Sequence, residues 1–354
     1  MKFGLFGGAT AAAARSEDAT EGFNERWRVT SERLPLAQSD DSHAYGKFVD
    51  AIIEAEALGF HSIFLVEHHF TGVAQVSASL NLLTYLAACT STIRLGTGVI
   101  VVPWHNPVLL AEQVATVDVL SGGRLDFGVG KGYRPGEFDG FCIPIDEAGE
   151  RFDESMDLIK RSLSSNERFS FHSKRWNFEN IVVEPPPIQR PHPPLWLAAG
   201  RPESLRYAAE TGFSLLLDQF ATFEVTLERF RIYQDAVEAA GIAFDPMSVA
   251  VARGVEIVRS QEERKVAVTK RIEALGRMNQ LASSDDSAYR SSMASDPDLR
   301  KAVEQGTLIG GPEEIIERIR QLRNGGVEYI LLAGAQSDPG LMRDFSNEIM
   351  SAFV

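Results

Sequence analysis

The regular alternation of strands and helices constrains this chain more than any other feature. Short apolar runs rich in β-branched residues are each followed by a longer stretch with helical spacing, and the pattern occurs eight times. Strands separated by helices favour a parallel sheet. Eight such units predict a closed (β/α)8 TIM barrel of the α/β class, with the open doubly wound sheet as the structural alternative. The candidate strands are Lys2–Phe6, Ser62–Val66, Arg94–Val102, Leu125–Val129, Leu195–Ala198, Ser214–Leu217, Val249–Val258 and Glu328–Leu332. The candidate helices between them cover residues 42–58, 76–90, 106–120, 146–164, 203–211, 222–240, 261–281 and 313–324.

Three connections are longer than those that usually join strands and helices. They cover residues 7–41, 166–194 and 282–310, and none contains enough apolar residues for a core of its own. We therefore expect insertions in the barrel after strands 1, 4 and 7, and one domain over residues 1–354. The second insertion contains SFHSKRWNFEN, which predicts a small hairpin before an extended proline-rich link.

The composition excludes several classes of partner. With 35 basic and 49 acidic residues the net charge is −14, which argues against a nucleic-acid partner. No targeting signal and no run of about 18 apolar residues is present, so we expect no membrane span. Only two cysteines occur, which is typical of a reducing compartment. The expectation is a cytoplasmic protein.

The segment GVGKG at residues 128–132 resembles a nucleotide-binding loop only superficially. A phosphate-binding P-loop would need glycine at Leu125 and a hydroxyl residue at Gly132, and a dinucleotide fingerprint would need glycine at Tyr133. What remains is a glycine-rich strand end with one cation, Lys131, which suits a phosphate as a point charge. The alternative is a tight turn with a solvated lysine.

Glu67, His68 and His69 directly follow the second candidate strand, which places them at the active rim of a barrel. An imidazole at this rim suits proton transfer near neutral pH. Consecutive residues that leave a strand point to opposite faces, so the two histidines are expected to have different roles. Metal ligation lacks the HExxH spacing or a cysteine pair, and a structural histidine that bonds backbone is the other alternative.

The third candidate strand carries Gly96 and Gly98, which are unusual inside a strand. Glycines there suit a flat ligand lying against the backbone, and a strand bulge is the alternative.

The segment LAAGRPESLRYAAETGF at residues 197–213 runs from a strand into a helix. Free backbone N–H groups, the helix dipole, Arg201 and Ser204 would form a phosphate cradle. The alternative is an ordinary β/α loop.

Taken together and in this order, these segments resemble the bacterial-luciferase-like flavin-dependent monooxygenase family. The motifs are EHHFT at 67–71, the run from Ile93 to Gln113, SGGRLDFGVGKGYRPGEFDGF at 121–141 and the segment at 197–213. The resemblance implies a TIM barrel that binds reduced FMN as a diffusible cosubstrate and uses O2 to oxidise a small or medium apolar organic substrate. A related branch uses a deazaflavin for hydride transfer, and a flavin-binding barrel without turnover is a further alternative.

The resemblance also assigns roles to individual residues. His68 matches the catalytic histidine of the family, and Glu137 matches an acidic position in the following loop. Lys131 stands where an arginine often contacts the phosphate and the flavin, and lysine lacks the two-pronged geometry of that arginine. Gly130 stands where bacterial luciferase has a cysteine.

Further cofactor contacts follow from the same resemblance. Gly98 and Val99 match a non-proline cis peptide against which the flavin packs. Gly200, Arg201 and Ser204 match the phosphate loop.

The resemblance also suggests a pocket, a lid and partners. Residues 282–310 lie where the family has a mobile lid, and their acidic residues disfavour an anionic substrate. A homodimer and a separate NAD(P)H-dependent flavin reductase are the expected partners. Aromatic residues near the strand ends suggest an apolar pocket, and these are Phe6, Phe70, Trp104, Tyr133 and Phe138.

Overall fold

Eight parallel strands close into a barrel, which confirms the predicted TIM fold and excludes the open sheet. The computed structural model describes residues 1–8, 41–70, 76–282 and 299–353. The strand order is β1-β2-β3-β5-β8-β9-β10-β12, and β12 pairs with β1 to close the barrel. The strands are β1 (Lys2–Gly7), β2 (Ser62–Leu65), β3 (Arg94–Thr97), β4 (Ile100–Val101), β5 (Leu125–Gly130), β6 (Phe169–His172), β7 (Asn177–Ile181), β8 (Leu195–Ala198), β9 (Ser214–Leu217), β10 (Val249–Ile257), β11 (Leu308–Gly310) and β12 (Tyr329–Ala333).

Helices follow the barrel strands at close to the predicted positions. Three short helices and one strand have no counterpart in the predicted pattern, namely α4, α9, α11 and β11. The helices are α1 (Asp41–Ala57), α2 (Ser79–Cys89), α3 (Pro107–Leu120), α4 (Pro135–Gly140), α5 (Ala148–Ser164), α6 (Pro202–Glu210), α7 (Phe223–Ala239), α8 (Gln261–Leu281), α9 (Leu299–Gly306), α10 (Pro312–Asn324) and α11 (Pro339–Glu348).

Helix α5 shows how the sequence pattern fixes the packing. Phe152, Met156, Ile159 and Leu163 recur at intervals of three and four residues, so they share one face. All four are buried in the main core, which lies between the barrel and its helices. Burying side chains of this size contributes about 1.5–3 kcal/mol each, and this burial holds the helix on the barrel.

Polar side chains close the N-terminal end of the barrel. Arg94 donates to both carboxylate oxygens of Asp126 at 2.7 and 2.8 Å, and the Trp196 indole Nε1 donates to the same carboxylate at 3.2 Å. The hydroxyls of Tyr329 and Ser62 lie 2.5 Å apart beside this group. These residues occupy the starts of their strands, so their side chains fill the N-terminal end of the barrel.

The predicted insertion after strand 4 lies wholly within the described residues. It contains the hairpin β6–β7, whose strands are antiparallel as predicted. Of the predicted insertion after strand 7, the structure describes residues 282 and 299–310, which include α9 and β11. β11 pairs with β10, and Val303 of α9 and Ile309 of β11 pack in a second apolar cluster with Phe220 and Val258. Most of the insertion after strand 1, at residues 9–40, lies outside the described residues, as does the acidic part of the lid segment at 283–298.

No helix in the described part of the chain is both long enough and apolar enough to cross a membrane.

Candidate active site

The end of β2 and the helix α4 bring His68 and Glu137 together. The imidazole Nδ1 of His68 lies 3.1 Å from Oε1 of Glu137, and the same oxygen accepts the backbone N–H of His69 at 2.9 Å. The Glu137 side chain is 2% exposed and that of His68 is 13% exposed. Two residues 69 positions apart in the sequence thus form one buried pair at the C-terminal rim.

Burial decides the charge state of His68. Desolvation holds the pKa of His68 below its usual value of 6.5, although the hydrogen bond with Glu137 opposes this shift. The imidazole is therefore neutral at pH 7. Since a carboxylate can only accept, Nδ1 carries the hydrogen and Nε2 carries the lone pair. Glu137 thus fixes the tautomer of His68 with Nε2 as its proton-accepting atom.

Arg134 is a member of this site that the sequence analysis did not identify. Its guanidinium is 3% exposed, its Nη1 lies 3.5 Å from Glu137 Oε1, and it lies over the Tyr133 ring at 5.5 Å. Neither Nε nor Nη1 makes a hydrogen bond within the described part of the chain. The positive charge of Arg134 also contributes to the low pKa of His68. A buried cation with unused donors beside an imidazole is a second functional group of the site.

His69 and His68 bind different carboxylates, as the opposite-face argument predicts. His69 Nε2 and His105 Nε2 lie 3.3 and 2.8 Å from Oε1 of Glu67, and Oε2 of Glu67 accepts the Val101 N–H at 2.6 Å. Burial alone would raise the pKa of Glu67, but these hydrogen bonds lower it below its usual value. Through these hydrogen bonds, Glu67 and His69 connect the end of β2 to the segment that follows β3.

Protein side chains occupy the space that a Cβ would take at the glycines of the β3 region. The interpretation that these glycines leave room for a flat ligand is therefore wrong for that side of the backbone. A Cβ on Gly96 would lie 2.5 Å from the Phe64 ring, and one on Gly98 would lie 2.8 Å from the Phe6 ring. The Cβ position of Gly130 lies 2.6 Å from a methyl group of Val99. The peptide between Gly98 and Val99 is cis, as the resemblance implies.

Lys131 lies against α6, the helix that follows the predicted phosphate loop. Arg201 precedes α6 in an extended conformation and is exposed, and no side chain in the described residues caps this helix. The Nζ of Lys131 lies 5.9 Å from the Tyr207 ring centroid, one turn after Ser204 on α6. Lys131 also lies 3.6 Å from Oδ1 of Asp153, so part of its charge is neutralised.

The five aromatic residues do not form one pocket wall. Trp104 and Phe138 pack edge to face at 5.4 Å, and Phe138 is fully buried. Phe70 is 53% exposed, whereas Phe6 packs inside the barrel against the cluster that contains Phe64. Tyr133 alone lies next to the His68 ring, with centroids 6.2 Å apart. Of these five aromatic side chains, Tyr133 is therefore the one that neighbours the imidazole of His68.

The chain is a closed parallel α/β barrel with an acid–histidine pair at its C-terminal rim, and comparison with known proteins gives its family. The model of the luciferase-like monooxygenase family matches residues 11–329. The chain therefore belongs to the luciferase-like monooxygenase family of flavin-dependent oxidoreductases.

The chain is similar in sequence to both FMN-dependent and F420-dependent proteins. It is 28% identical over 261 residues to an FMNH2-dependent dimethylsulfone monooxygenase of Pseudomonas putida, covering 70% of each protein. It is 32% identical over 189 residues to an F420-dependent glucose-6-phosphate dehydrogenase of Kineococcus radiotolerans, covering 51% of this chain and 54% of that one. The matches to the first two curated relatives span about half the length of each. The crystal structure of the monooxygenase RslO1 from Streptomyces bottropensis shares the fold, with a TM-score of 0.79, 24% identity and full coverage of both chains.

Proposed function

We propose that this protein is a monooxygenase that uses reduced FMN and O2 to oxidise a small or medium organic substrate with an apolar body. The observation that carries the proposal is the buried neutral imidazole of His68, hydrogen-bonded to Glu137 at the barrel rim. Membership of the family supports a flavin, and an FMNH2-dependent relative supports FMN.

The residues of the site fit a flavin mononucleotide. The N-terminus of α6 has no side-chain cap, Ser204 lies in its first turn, and Lys131 lies 5.9 Å from the ring of Tyr207 on the same helix, which suits the dianionic phosphate. Beside Glu137, Arg134 offers buried N–H donors that make no hydrogen bond within the described residues, which suits the carbonyl-rich edge of the flavin ring. Gly98 and Val99, between β3 and β4, are the proposed contact for the face of the flavin ring.

Reduced FMN, when bound, supplies the electrons with which O2 is activated. His68 takes a proton at Nε2 and holds it near the reacting atoms, and Glu137 keeps Nδ1 protonated so that only Nε2 accepts. Glu137 also stabilises the charge of the imidazolium that results. Arg134 lowers the proton affinity of His68 and thus favours return of the proton after each cycle. Proton transfer of this kind typically contributes about 10²–10⁴-fold in rate.

A second candidate function is hydride transfer with a deazaflavin, which the F420-dependent relative favours. Both candidates require the same barrel and the same histidine, so the discriminating reagent is O2. A monooxygenase consumes O2 in proportion to product, whereas hydride transfer proceeds without O2.

The test of this function mixes the protein and reduced FMN with O2 in the presence of a panel of apolar organic compounds. We expect some compounds to lower the yield of H2O2 per O2 consumed, because oxygen that enters a substrate is not released as peroxide. His68→Asn is expected to retain reduced-FMN binding and to convert nearly all O2 to H2O2, while His69→Asn, the matched control, retains coupling in the folded fraction. Product formation that continues under strictly anaerobic conditions would refute the monooxygenase.

The proposal includes two partners. A protein that consumes reduced FMN needs a supplier, and an NAD(P)H-dependent flavin reductase is the chemical class that provides it. We also propose a homodimer, for which the exposed Tyr85 and Leu109 on the neighbouring helices α2 and α3 offer an apolar face. Light scattering of the purified protein tests the dimer, and a monomeric mass contradicts it.

A further inference from the structure

The buried carboxylate of Glu67 collects hydrogen bonds from three separate parts of the barrel rim. Its Oε1 accepts from Nε2 of His105 at 2.8 Å and from Nε2 of His69 at 3.3 Å, and its Oε2 accepts the backbone N–H of Val101 at 2.6 Å. The side chain is 1% exposed, so these three donors take the place of water around the charge. Glu67 is thus a second buried acid of the rim, distinct from Glu137.

The contact with Val101 fixes the segment that is proposed to lie against the face of the flavin ring. Val101 ends β4, a strand of two residues that pairs with the end of β5 at Gly130. So short a strand forms few hydrogen bonds with its neighbour. At the other end of the segment, the N–H of Gly98 donates to the carbonyl oxygen of Leu65 at 2.6 Å. The segment is therefore bound to β2 and the residue group after it at both ends, and Glu67 supplies one of the two attachments.

Val101 also packs against the loop that leads to Arg134. A Cβ on Gly132 would lie 2.8 Å from a methyl group of Val101 and 2.8 Å from the Phe138 ring. Gly132 precedes Arg134 by two residues, so the position of Val101 sets one wall of this loop. Through Val101, Glu67 acts on both regions that are proposed to contact the flavin ring.

From these contacts we infer that Glu67 is a positioning residue for the flavin, because its carboxylate fixes Val101 and thereby the segment on which the ring is proposed to lie. The inference rests on the proposed function, since it concerns the same flavin site. A segment that is already fixed loses little freedom when the ring binds, and this favours affinity. Without the carboxylate, binding itself has to order the segment. The affinity for the ring is expected to fall, and the contact with the phosphate is not affected.

The positioning role requires a hydrogen-bond acceptor for Val101 and does not require the charge itself. The backbone N–H of Val101 can only donate, whereas a neutral imidazole presents either a hydrogen or a lone pair at Nε2, according to its tautomer. A glutamine at position 67 can therefore direct its amide oxygen to Val101 and its NH2 group to the two histidines. Glu67→Gln is thus the variant that keeps the hydrogen bond to Val101, and Glu67→Met is the variant that removes it.

The test is an anaerobic titration of the full chain with reduced FMN and with reduced riboflavin, well below the thermal midpoint of each variant. Glu67→Met is expected to weaken the binding of both flavins by the same factor, about tenfold in Kd, because the lost contact acts on the ring that they share. Glu67→Gln is expected to restore most of this affinity. Glu67→Asp keeps the charge but is one methylene shorter, so a smaller loss for both flavins is expected, and it replaces Glu67→Met if that variant does not fold.

Asp118→Leu is the matched control. Asp118 is fully buried in the last turn of α3, and its carboxylate accepts the N–H groups of Ile188 and Gln189 and the Gln189 side-chain amide, at 2.7, 2.9 and 2.7 Å. The same amide donates to the carbonyl oxygen of Leu125, the first residue of β5, which places this carboxylate at the opposite end of the barrel. The control removes an acceptor from three donors, as Glu67→Met does. We expect a lower thermal midpoint with unchanged affinity for both flavins.

Three outcomes overturn the inference. They are native affinity for both flavins in the folded Glu67→Met variant (or in Glu67→Asp where it takes that place), a loss confined to FMN, and an equal loss of affinity in Asp118→Leu. If the native chain binds reduced FMN and one of these outcomes is found, the positioning role alone is refuted. If the native chain binds neither flavin, the proposed flavin function is refuted and the inference with it.

Discussion

The buried pair formed by Arg134 and Glu137 predicts an unequal effect of neutralising its two members. Glu137, whose side chain is 2% exposed, accepts hydrogen bonds from His68 and from the His69 backbone and faces the Arg134 guanidinium. Glu137→Gln leaves Arg134 as a buried cation without its counter-charge, which costs about 3–5 kcal/mol of unfolding free energy. Arg134→Met costs far less, under about 1 kcal/mol, because Nε and Nη1 make no hydrogen bond within the described residues and Glu137 keeps its other two donors.

Thermal unfolding in the absence of flavin measures this difference. The double variant removes the uncompensated cation, so we expect it to be more stable than Glu137→Gln alone, by about 1–2 kcal/mol. Asp139→Asn, at an exposed position on the same helix, is the control and is expected to stay within about 0.5 kcal/mol of the native chain. A Glu137→Gln variant within about 1 kcal/mol of the native chain, or a double variant less stable than Glu137→Gln, would refute the reasoning.

Further predictions concern pH, flavin binding and the second histidine. Because His68 binds a proton less readily in the folded than in the unfolded chain, folding stability falls as pH drops below about 6.5, and His68→Gln is expected to flatten this part of a pH–stability profile. Arg134→Met removes a cation that lowers the His68 pKa, so the acid limb of kcat/KM is expected to move to higher pH; a limb that stays in place or moves lower contradicts the electrostatic role. The Lys131 side chain is 47% exposed and forms an ion pair with Asp153, so Lys131→Ala is expected to weaken reduced-FMN binding by only about 0.5–1.5 kcal/mol. Binding of riboflavin, which lacks the phosphate, is expected to be unaffected. Equal losses of affinity for both ligands would place Lys131 away from the phosphate. His69→Ala is expected to lower the thermal midpoint more than His68→Ala, since His69 packs against Trp104 and Phe141 and bonds Glu67; the reverse order in a melting experiment contradicts this role.

The barrel could be predicted from sequence because its signal is periodic and local. Helix α8 coincides with the predicted residues 261–281, and the face of α5 follows its apolar spacing. The elements that the pattern missed, α4, α9, α11 and β11, have at most ten residues each, and short elements depend on tertiary contacts more than on propensity. The β3 region was predicted as one strand, whereas the cis peptide at Gly98 divides it into β3 and β4.

In the site as well, local sequence patterns identify individual residues, whereas their contacts depend on the fold. His68 and Glu137 could be named because each follows a recognisable strand or motif, but their contact spans 69 residues and only the fold shows it. Arg134 carried a usable signal, since a charged residue between Tyr133 and a helix start stands beside the predicted site.

Anaerobic titration of the chain with four ligands, followed by fluorescence, tests the central claim most directly. The ligands are reduced FMN, oxidised FMN, FAD and a reduced deazaflavin. The proposed phosphate site at α6, with Ser204 in its first turn and Lys131 against the same helix, would hold one phosphate, so we expect reduced FMN to bind tightest, oxidised FMN more weakly, and FAD and the deazaflavin weakest. Tight binding of the deazaflavin with no saturable binding of reduced FMN would contradict the account of this protein as an FMN-dependent monooxygenase.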